Sequence, residues 1–226
     1  MLVIAHRGAS AYAKENTLKA FDLAFKLGSS WLETDVQRSK DGVLVLYHDY
    51  NLKKGKQIKD CTSEYLKNFN VPSLADLLKI TPENFTLNLE IKNDNNIYPG
   101  IEKQILTEIK KAKNIKKEQI FISSFFVESL QKIRVLDKQI SIGVLMRNFE
   151  VKTPLALQAK SVNISAKRVT KQIVETCHKN GLKVFVYTVN DLQTYNKLKS
   201  WKTDGVFSDN PVLDLPRFFA IGGTFD

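Results

Sequence analysis

Nine short apolar runs rich in β-branched residues, most of them separated by segments of helical periodicity, constrain this chain more than any other feature. The runs fall at residues 2–5, 31–36, 43–47, 85–91, 119–123, 140–145, 161–164, 183–189 and 205–207. Between them, 16–27 carries Leu18, Phe21, Leu23, Ala24, Phe25 and Leu27 ahead of Gly28, and 101–113 places Ile101, Ile105, Leu106 and Ile109 on one side. Segments 170–180, closed by Gly181, and 191–201, opened by an acidic cap at Asp191, follow the same logic. Strand–helix alternation demands a parallel sheet covered by helices, either open and doubly wound or closed into a barrel.

One interval breaks the rhythm. Ser39-Lys40-Asp41-Gly42 leaves no room for a helix, and Asp-Gly between apolar runs signals a hairpin. Setting the return strand 43–47 aside leaves eight strands, the number a (β/α)8 TIM barrel needs. The predicted fold is therefore α/β, a (β/α)8 TIM barrel with an extra hairpin strand after the second strand. No Gly/Ser linker or long-period repeat interrupts the chain, so residues 1–226 are expected to form a single barrel domain.

Composition narrows the function classes. With 43% hydrophobic and 26% charged residues, the chain has the balance of an ordinary globular protein, and no run approaches the roughly 20 apolar residues of a membrane span. Cys61 and Cys177 lie too far apart in sequence for a redox or zinc motif and are expected to be free thiols. The opening Met1-Leu2-Val3-Ile4-Ala5 has neither the basic region nor the apolar length of a secretory signal, so a cytoplasmic location is expected. Thirty-four basic against 24 acidic residues give a net charge of +10, but 28 of the basic residues are Lys, the pattern of a solvated surface. The Lys-rich run at 110–117 could touch nucleic acid or an anionic membrane; the plainer expectation is a small anionic substrate, with no nucleic-acid partner and no stable membrane insertion.

In such a barrel the reactive groups sit at the carboxyl ends of strands. The first run leads into His6-Arg7-Gly8, the second carries Glu33 and Asp35, the hairpin strand ends at His48-Asp49, and the next barrel strand ends in Glu90-Ile91-Lys92. Glu33 and Asp35 leave the same face of their strand, as do Glu90 and Lys92. A tight turn at Asp41-Gly42 sets Asp35 opposite His48, with Cβ atoms about 5 Å apart. Three carboxylates converging on one mouth repel one another unless they bind a cation, and an all-oxygen set suits one divalent cation, Mg²⁺ or Ca²⁺. His6 and His48 offer two groups that titrate near neutrality, and Arg7 and Lys92 offer fixed charge for phosphate oxygens. Cleavage of a phosphodiester needs each of these parts. His178, in the last turn of a helix, complements the helix dipole and has no place in this set.

The ordered set His6-Arg7-Gly8, Glu15-Asn16-Thr17, Glu33-Thr34-Asp35-Val36, Lys40-Asp41-Gly42, His48-Asp49, Pro72-Ser73-Leu74, Leu89-Glu90-Ile91-Lys92, Ser124-Phe125, Thr188-Val189-Asn190 and 204–211 resembles the glycerophosphodiester phosphodiesterases over nearly the whole chain. The resemblance implies metal-dependent hydrolysis of glycerophosphodiesters such as glycerophosphocholine or glycerophosphoethanolamine to sn-glycerol 3-phosphate and an alcohol. It implies His6 and His48 as general base and acid, Glu33, Asp35 and Glu90 as metal ligands, and Arg7 and Lys92 as phosphate-holding residues. Three departures stand out: Lys14 where Pro is usual, Tyr187 where Trp is common, and a shortened segment after His48-Asp49, 50–56, without the usual Arg-Thr-Thr. A lysophospholipase D acting on lysophospholipids is the alternative on the same fold, and a catalytically silent binding barrel is the alternative of another class.

Overall fold

The computed structural model describes residues 1–53 and 55–214. The strands are β1 (Leu2–His6), β2 (Trp31–Arg38), β3 (Leu44–Leu46), β4 (Thr86–Ile91), β5 (Ile120–Ser124), β6 (Ser141–Met146), β7 (Ser161–Ser165), β8 (Lys183–Tyr187) and β9 (Gly205–Ser208). Eight of them pair in parallel, and β1 pairs with both β2 and β9, which closes the sheet. β3 is the extra strand and runs antiparallel to β2. The architecture is the (β/α)8 barrel expected from the alternation.

The helices are α1 (Leu18–Lys26), α2 (Ser63–Lys67), α3 (Leu74–Ile80), α4 (Ile101–Lys111), α5 (Val127–Leu136), α6 (Lys152–Ala156), α7 (Lys171–Lys179) and α8 (Leu192–Ser200). Thr17, Thr170 and Asp191 cap α1, α7 and α8 by accepting from the backbone N–H three residues on, which satisfies donors that the first helical turn leaves free. The expected helix at 16–27 therefore starts two residues late. Asn16 takes a left-handed conformation, φ 53°, and its side chain is used elsewhere.

Two apolar layers build the core. Outward-facing strand residues such as Leu32, Val36, Leu87, Leu89, Val162 and Val184 pack under the helices. Inside the barrel, Ile4, Phe121, Phe185 and Phe207 fill the lumen with Leu2, Trp31 and Tyr187 against them, so the barrel is plugged rather than open. A third cluster, Val45, Leu52, Ile58, Cys61, Leu66 and Val71, lies beneath the segment between β3 and α3. Cys61 and Cys177 are both buried, unpaired thiols.

The hairpin register differs from expectation by one residue. Val36 pairs with Leu46, Gln37 with Val45 and Arg38 with Leu44, so Asp35 lies opposite Tyr47, whose N–H donates to the Asp35 carbonyl over 3.0 Å, and not opposite His48. The reason is a three-residue loop, 40–42. Ser39 N–H donates to the Val43 carbonyl, and Gly42 takes φ 84°, the left-handed position that ends such a loop and that a Cβ would strain. Asp41 accepts from the Ser39 hydroxyl and from the N–H and hydroxyl of Ser63, which fixes this longer turn and holds its carboxyl down at about 2.

Candidate active site

The carboxyl ends of β1, β2 and β4 deliver the charged groups to one mouth. His6 aligns with Glu33 across β1–β2, and Asp35 with Glu90 across β2–β4. Just past β1, Arg7 and Gly8 both take positive φ, 57° and 86°, which turns the chain sharply. A Cβ on Gly8 would lie 2.7 Å from the Ala20 backbone, so only glycine lets the turn pack on α1. The turn aims the Arg7 N–H at Glu33 Oε2, 3.0 Å away, and places its guanidinium 3.4 Å from Asp35 Oδ2 and 3.0 Å from Glu15 Oε2.

Glu33 and Asp35 are almost fully buried, and Glu90 nearly so. Oxygens of the three can all be found within 4.8 Å of one another. Desolvation, then Asp35 and Glu90, push the Glu33 carboxyl well above its ordinary range. Desolvation and Asp35 push Glu90 up to about 7. Lys92 Nζ stands 3.0 Å from Glu90 and 3.8 Å from Asp35, and these two carboxylates raise it against its own burial. Three buried carboxylates face two cations, so ionisation of all three would leave one negative charge uncompensated. The donors are oxygens only, and the set fits a hard divalent cation.

The two histidines are held from opposite sides. His6 Nδ1 lies 2.7 Å from Asp209 Oδ1, and its Nε2 is 4.0 Å from Glu33. Hydrogen bonds from His6, and further ones from Asn190 and Ser10, hold the Asp209 carboxyl down at about 2. An ionised carboxylate only accepts, so Nδ1 donates to Asp209 and Nε2 is the nitrogen turned to the mouth. His48 Nδ1 is likewise 2.7 Å from Asp49 Oδ1. Both rings line a cavity of about 200 Å³ with Arg7, Glu33 and Glu90, and Phe125 and Tyr187 form its apolar wall. Larger grooves, of about 490 and 580 Å³, lie beside α1 and along α4, and neither is lined by a histidine or by more than one carboxylate.

All seven residues singled out in the sequence, His6, Arg7, Glu33, Asp35, His48, Glu90 and Lys92, thus meet at the same end of the barrel. Residues 6–213 match the model of the glycerophosphoryl diester phosphodiesterase family. The chain belongs to that family. A glycerophosphodiester phosphodiesterase of Caldanaerobacter subterraneus is 32% identical over 96% of this chain and 98% of its own, and one of Bacillus altitudinis is 30% identical over 92% and 94%. Among solved structures, a phosphodiesterase of Oleispira antarctica in complex with the product sn-glycerol 3-phosphate superposes with a TM-score of 0.85 at 26% identity, covering 93% of this chain and 94% of that one. The Thermotoga maritima glycerophosphodiester phosphodiesterase covers 98% of both chains with a TM-score of 0.80 at 27% identity. The chain is an enzyme, a phosphoric diester hydrolase.

At the mouth of this phosphodiesterase, several partners that lie in or beside the family motifs are not singled out in the sequence as site residues. Asp209, on the far side of the barrel closure, orients His6. Asn16 donates to Asp35 Oδ2 over 2.9 Å and accepts from the Thr34 hydroxyl over 2.7 Å, which explains its departure from the helix. Tyr187, at a departure from the family pattern, hydrogen-bonds the Met146 carbonyl at 3.2 Å and meets Phe125 edge-on, centroids 6.0 Å apart. Lys14, at another departure, donates to the Phe69 carbonyl over 2.6 Å and so ties the segment after β1 to the one after β3. His178 pairs with Asp204 at 2.9 Å, far from the mouth in sequence and on the helical exterior.

Proposed function

We propose that this enzyme hydrolyses small glycerophosphodiesters, such as glycerophosphocholine or glycerophosphoethanolamine, to sn-glycerol 3-phosphate and the free alcohol. The observation that carries the reading is the convergence of two oriented imidazoles, two fixed cations and three buried carboxylates on one barrel mouth, around a small cavity. The product complex of the Oleispira antarctica relative supports the substrate class.

His6 is the general base. Its Nε2 lone pair takes the proton from the attacking hydroxyl, which is water's or the substrate's own glycerol hydroxyl, the latter closing a cyclic phosphate that water then opens. His48, its ring oriented by Asp49, is the general acid and returns a proton to the departing alkoxide oxygen. Arg7 and Lys92 hold the non-bridging phosphate oxygens as negative charge grows on them. Glu33, Asp35 and Glu90 would hold one divalent cation, Mg²⁺ or Ca²⁺, which adds positive charge at those oxygens when bound. The cavity of about 200 Å³ suits a small headgroup and supports glycerophosphodiesters over lipids with a long acyl chain.

Among the described residues no helix is long and apolar enough to cross a membrane. A cytoplasmic location and a single barrel domain remain part of this proposal; residue 54 and residues 215–226 of the expected 1–226 span lie outside the described residues.

The test is release of glycerol 3-phosphate from glycerophosphocholine, with EDTA, Mg²⁺ and Ca²⁺ in parallel. Metal-dependent release in the native chain, lost in His6→Ala and His48→Ala, is expected. Full turnover in either histidine variant would remove that residue from its role, and equal rates with EDTA and with metal would remove the cation.

A further inference from the structure

We propose that Gln37, locked by Tyr98, is the residue that positions His48. The proposal rests on the assignment of His48 as general acid and extends it to the buried scaffold beneath that residue.

Pairing of β3 with β2 ends at Leu46, and the Tyr47 N–H is the last ladder donor before the chain leaves the sheet. The carbonyls that follow have no strand partner. One side chain takes them over. Gln37, fully buried, follows Glu33 and Asp35 at alternate positions along β2, and its Nε2 donates to the Tyr47 carbonyl at 2.7 Å and to the Asp49 carbonyl at 2.8 Å. The His48 carbonyl between them is 3.4 Å away. The same amide thus grips the backbone on both sides of the histidine.

A primary amide can be turned end for end, and here only one orientation serves. Three carbonyls are acceptors, so the NH₂ must face the loop and the oxygen must face away. Tyr98 enforces that choice: its buried hydroxyl donates to Gln37 Oε1 at 2.8 Å. Tyr98 is in turn fixed by Asn93, whose Oδ1 accepts from the Tyr98 N–H at 2.7 Å. Asn93 also donates to Glu102 at 3.1 Å and to the Ser129 hydroxyl at 3.2 Å, and all three are buried. Asn93 directly follows Lys92, so one buried chain of hydrogen bonds joins the backbone of His48 to the strand end that carries Lys92. A second tie, from the Asp94 N–H to the Tyr50 hydroxyl at 3.0 Å, acts two residues beyond His48 and does not fix the residue itself.

The His48 ring is half-exposed and its neighbour Asp49 more so, so contacts on the ring alone do not hold its place. A proton donor must stay within hydrogen-bond reach of the departing oxygen, and small displacements cost turnover rather than binding. Gln37 touches no substrate. It acts through the His48 backbone.

Gln37→Met, Tyr98→Phe and His48→Ala would be compared with the native enzyme on glycerophosphocholine and on the 4-nitrophenyl ester of glycerol 3-phosphate, whose nitrophenolate departs without needing a proton. Thermal denaturation and circular dichroism would report folding. On glycerophosphocholine, kcat is expected to fall about 10²-fold in Gln37→Met and about tenfold in Tyr98→Phe, with KM within about twofold of native. On the nitrophenyl ester both variants should approach native turnover, as His48→Ala should. Tyr98→Phe removes one hydroxyl and keeps the ring, so it carries the test if Gln37→Met does not fold. Native turnover of glycerophosphocholine by Tyr98→Phe, or equal losses on both substrates, would overturn the positioning role while leaving His48 in place. Native turnover of glycerophosphocholine by His48→Ala would overturn the acid assignment and the proposal together.

Discussion

His6 and Asp209 stand 203 positions apart in the chain and 2.7 Å apart in space, joined where β9 returns to β1 and closes the barrel. The contact makes closure a condition of the orientation of His6, the proposed base. Asp209→Asn is expected to lower kcat by about 10²-fold or more, because an amide can donate to Nδ1 and favour the wrong tautomer. Ser10 and Asn190, which also bond Asp209, keep the side chain in place, so the fold should persist. The same carboxyl gives a pH signature. Its folded value of about 2 lies below the ordinary 3.8, so its stabilisation is complete above the ordinary value and disappears as pH falls through about 2. Denaturation midpoints measured between pH 5 and pH 2 should fall more steeply for the native chain than for Asp209→Asn.

The carboxylate trio predicts the opposite slope near neutrality. Glu90 is pushed up to about 7 from an ordinary 4.5, so the metal-free folded state holds a proton that the unfolded state has released. Stability of the metal-free protein should therefore fall as pH rises from about 4.5 through about 7. Glu33, shifted the same way, adds to the slope. Mg²⁺ or Ca²⁺ should raise the melting temperature, and raise it more at pH 8 than at pH 5, because bound ligands must be deprotonated. Melting curves with EDTA and with each ion across this range would show it. A cation effect that is flat with pH would speak against ligation by these carboxylates.

Lys92 is a buried cation with two carboxylate neighbours, and its removal leaves their charge uncompensated. Lys92→Ala is expected to cost about 3 kcal/mol at pH 8 without metal, in line with breaking a buried ion pair from one side. Part of that loss should return when a divalent cation is added, since a cation held by these carboxylates would supply the missing positive charge. The activity loss should not return, because the phosphate contact proposed for Lys92 would be gone. Chemical denaturation and steady-state rates on the same samples separate the two effects.

The barrel was legible because the strands are β-branched runs bounded by turn residues and α1, α2, α3, α7 and α8 each open on a side-chain cap, so local pattern and global fold agree. The charged mouth was legible for a related reason: Glu33/Asp35 and Glu90/Lys92 share a strand face at an end where a barrel exposes its chemistry. What stayed hidden depends on contacts between distant segments. Asp41-Gly42 fits a two-residue or a three-residue loop equally well, and contacts from outside the hairpin, such as Asp41 with Ser63, help choose between them. Asn16 reads as helix start until Asp35 is placed beside it. Gln37 continues the alternation of Glu33 and Asp35, yet its amide acquires a purpose only once Tyr98 arrives from 61 residues away.

Beneath the catalytic layer, Gly143 on β6 leaves room for the ring of Phe121. A Cβ there would fall 2.5 Å from Ser161 Oγ and 2.7 Å from Phe121 Cε1. Neither neighbour yields cheaply. Ser161 donates to Asn163 Oδ1 at 2.6 Å, and the amide nitrogen of Asn163 is already without a partner, so turning the hydroxyl away adds an unsatisfied group. Phe121 is hemmed in by Trp31 and Phe185, with ring centroids at 5.5 and 6.0 Å. Gly143→Ala should thus destabilise by about 1–3 kcal/mol through overpacking, which lowers the melting temperature by about 2–10 °C for a chain of this length. Adding Ser161→Ala removes the closer clash and should recover part of the loss, a coupling that a double-mutant cycle reads directly. Turnover at a temperature well below the transition should stay near native, because the strain sits in the apolar floor and the histidines are carried by other strands. Loss of turnover without loss of stability would mean that the floor also sets the height of the mouth.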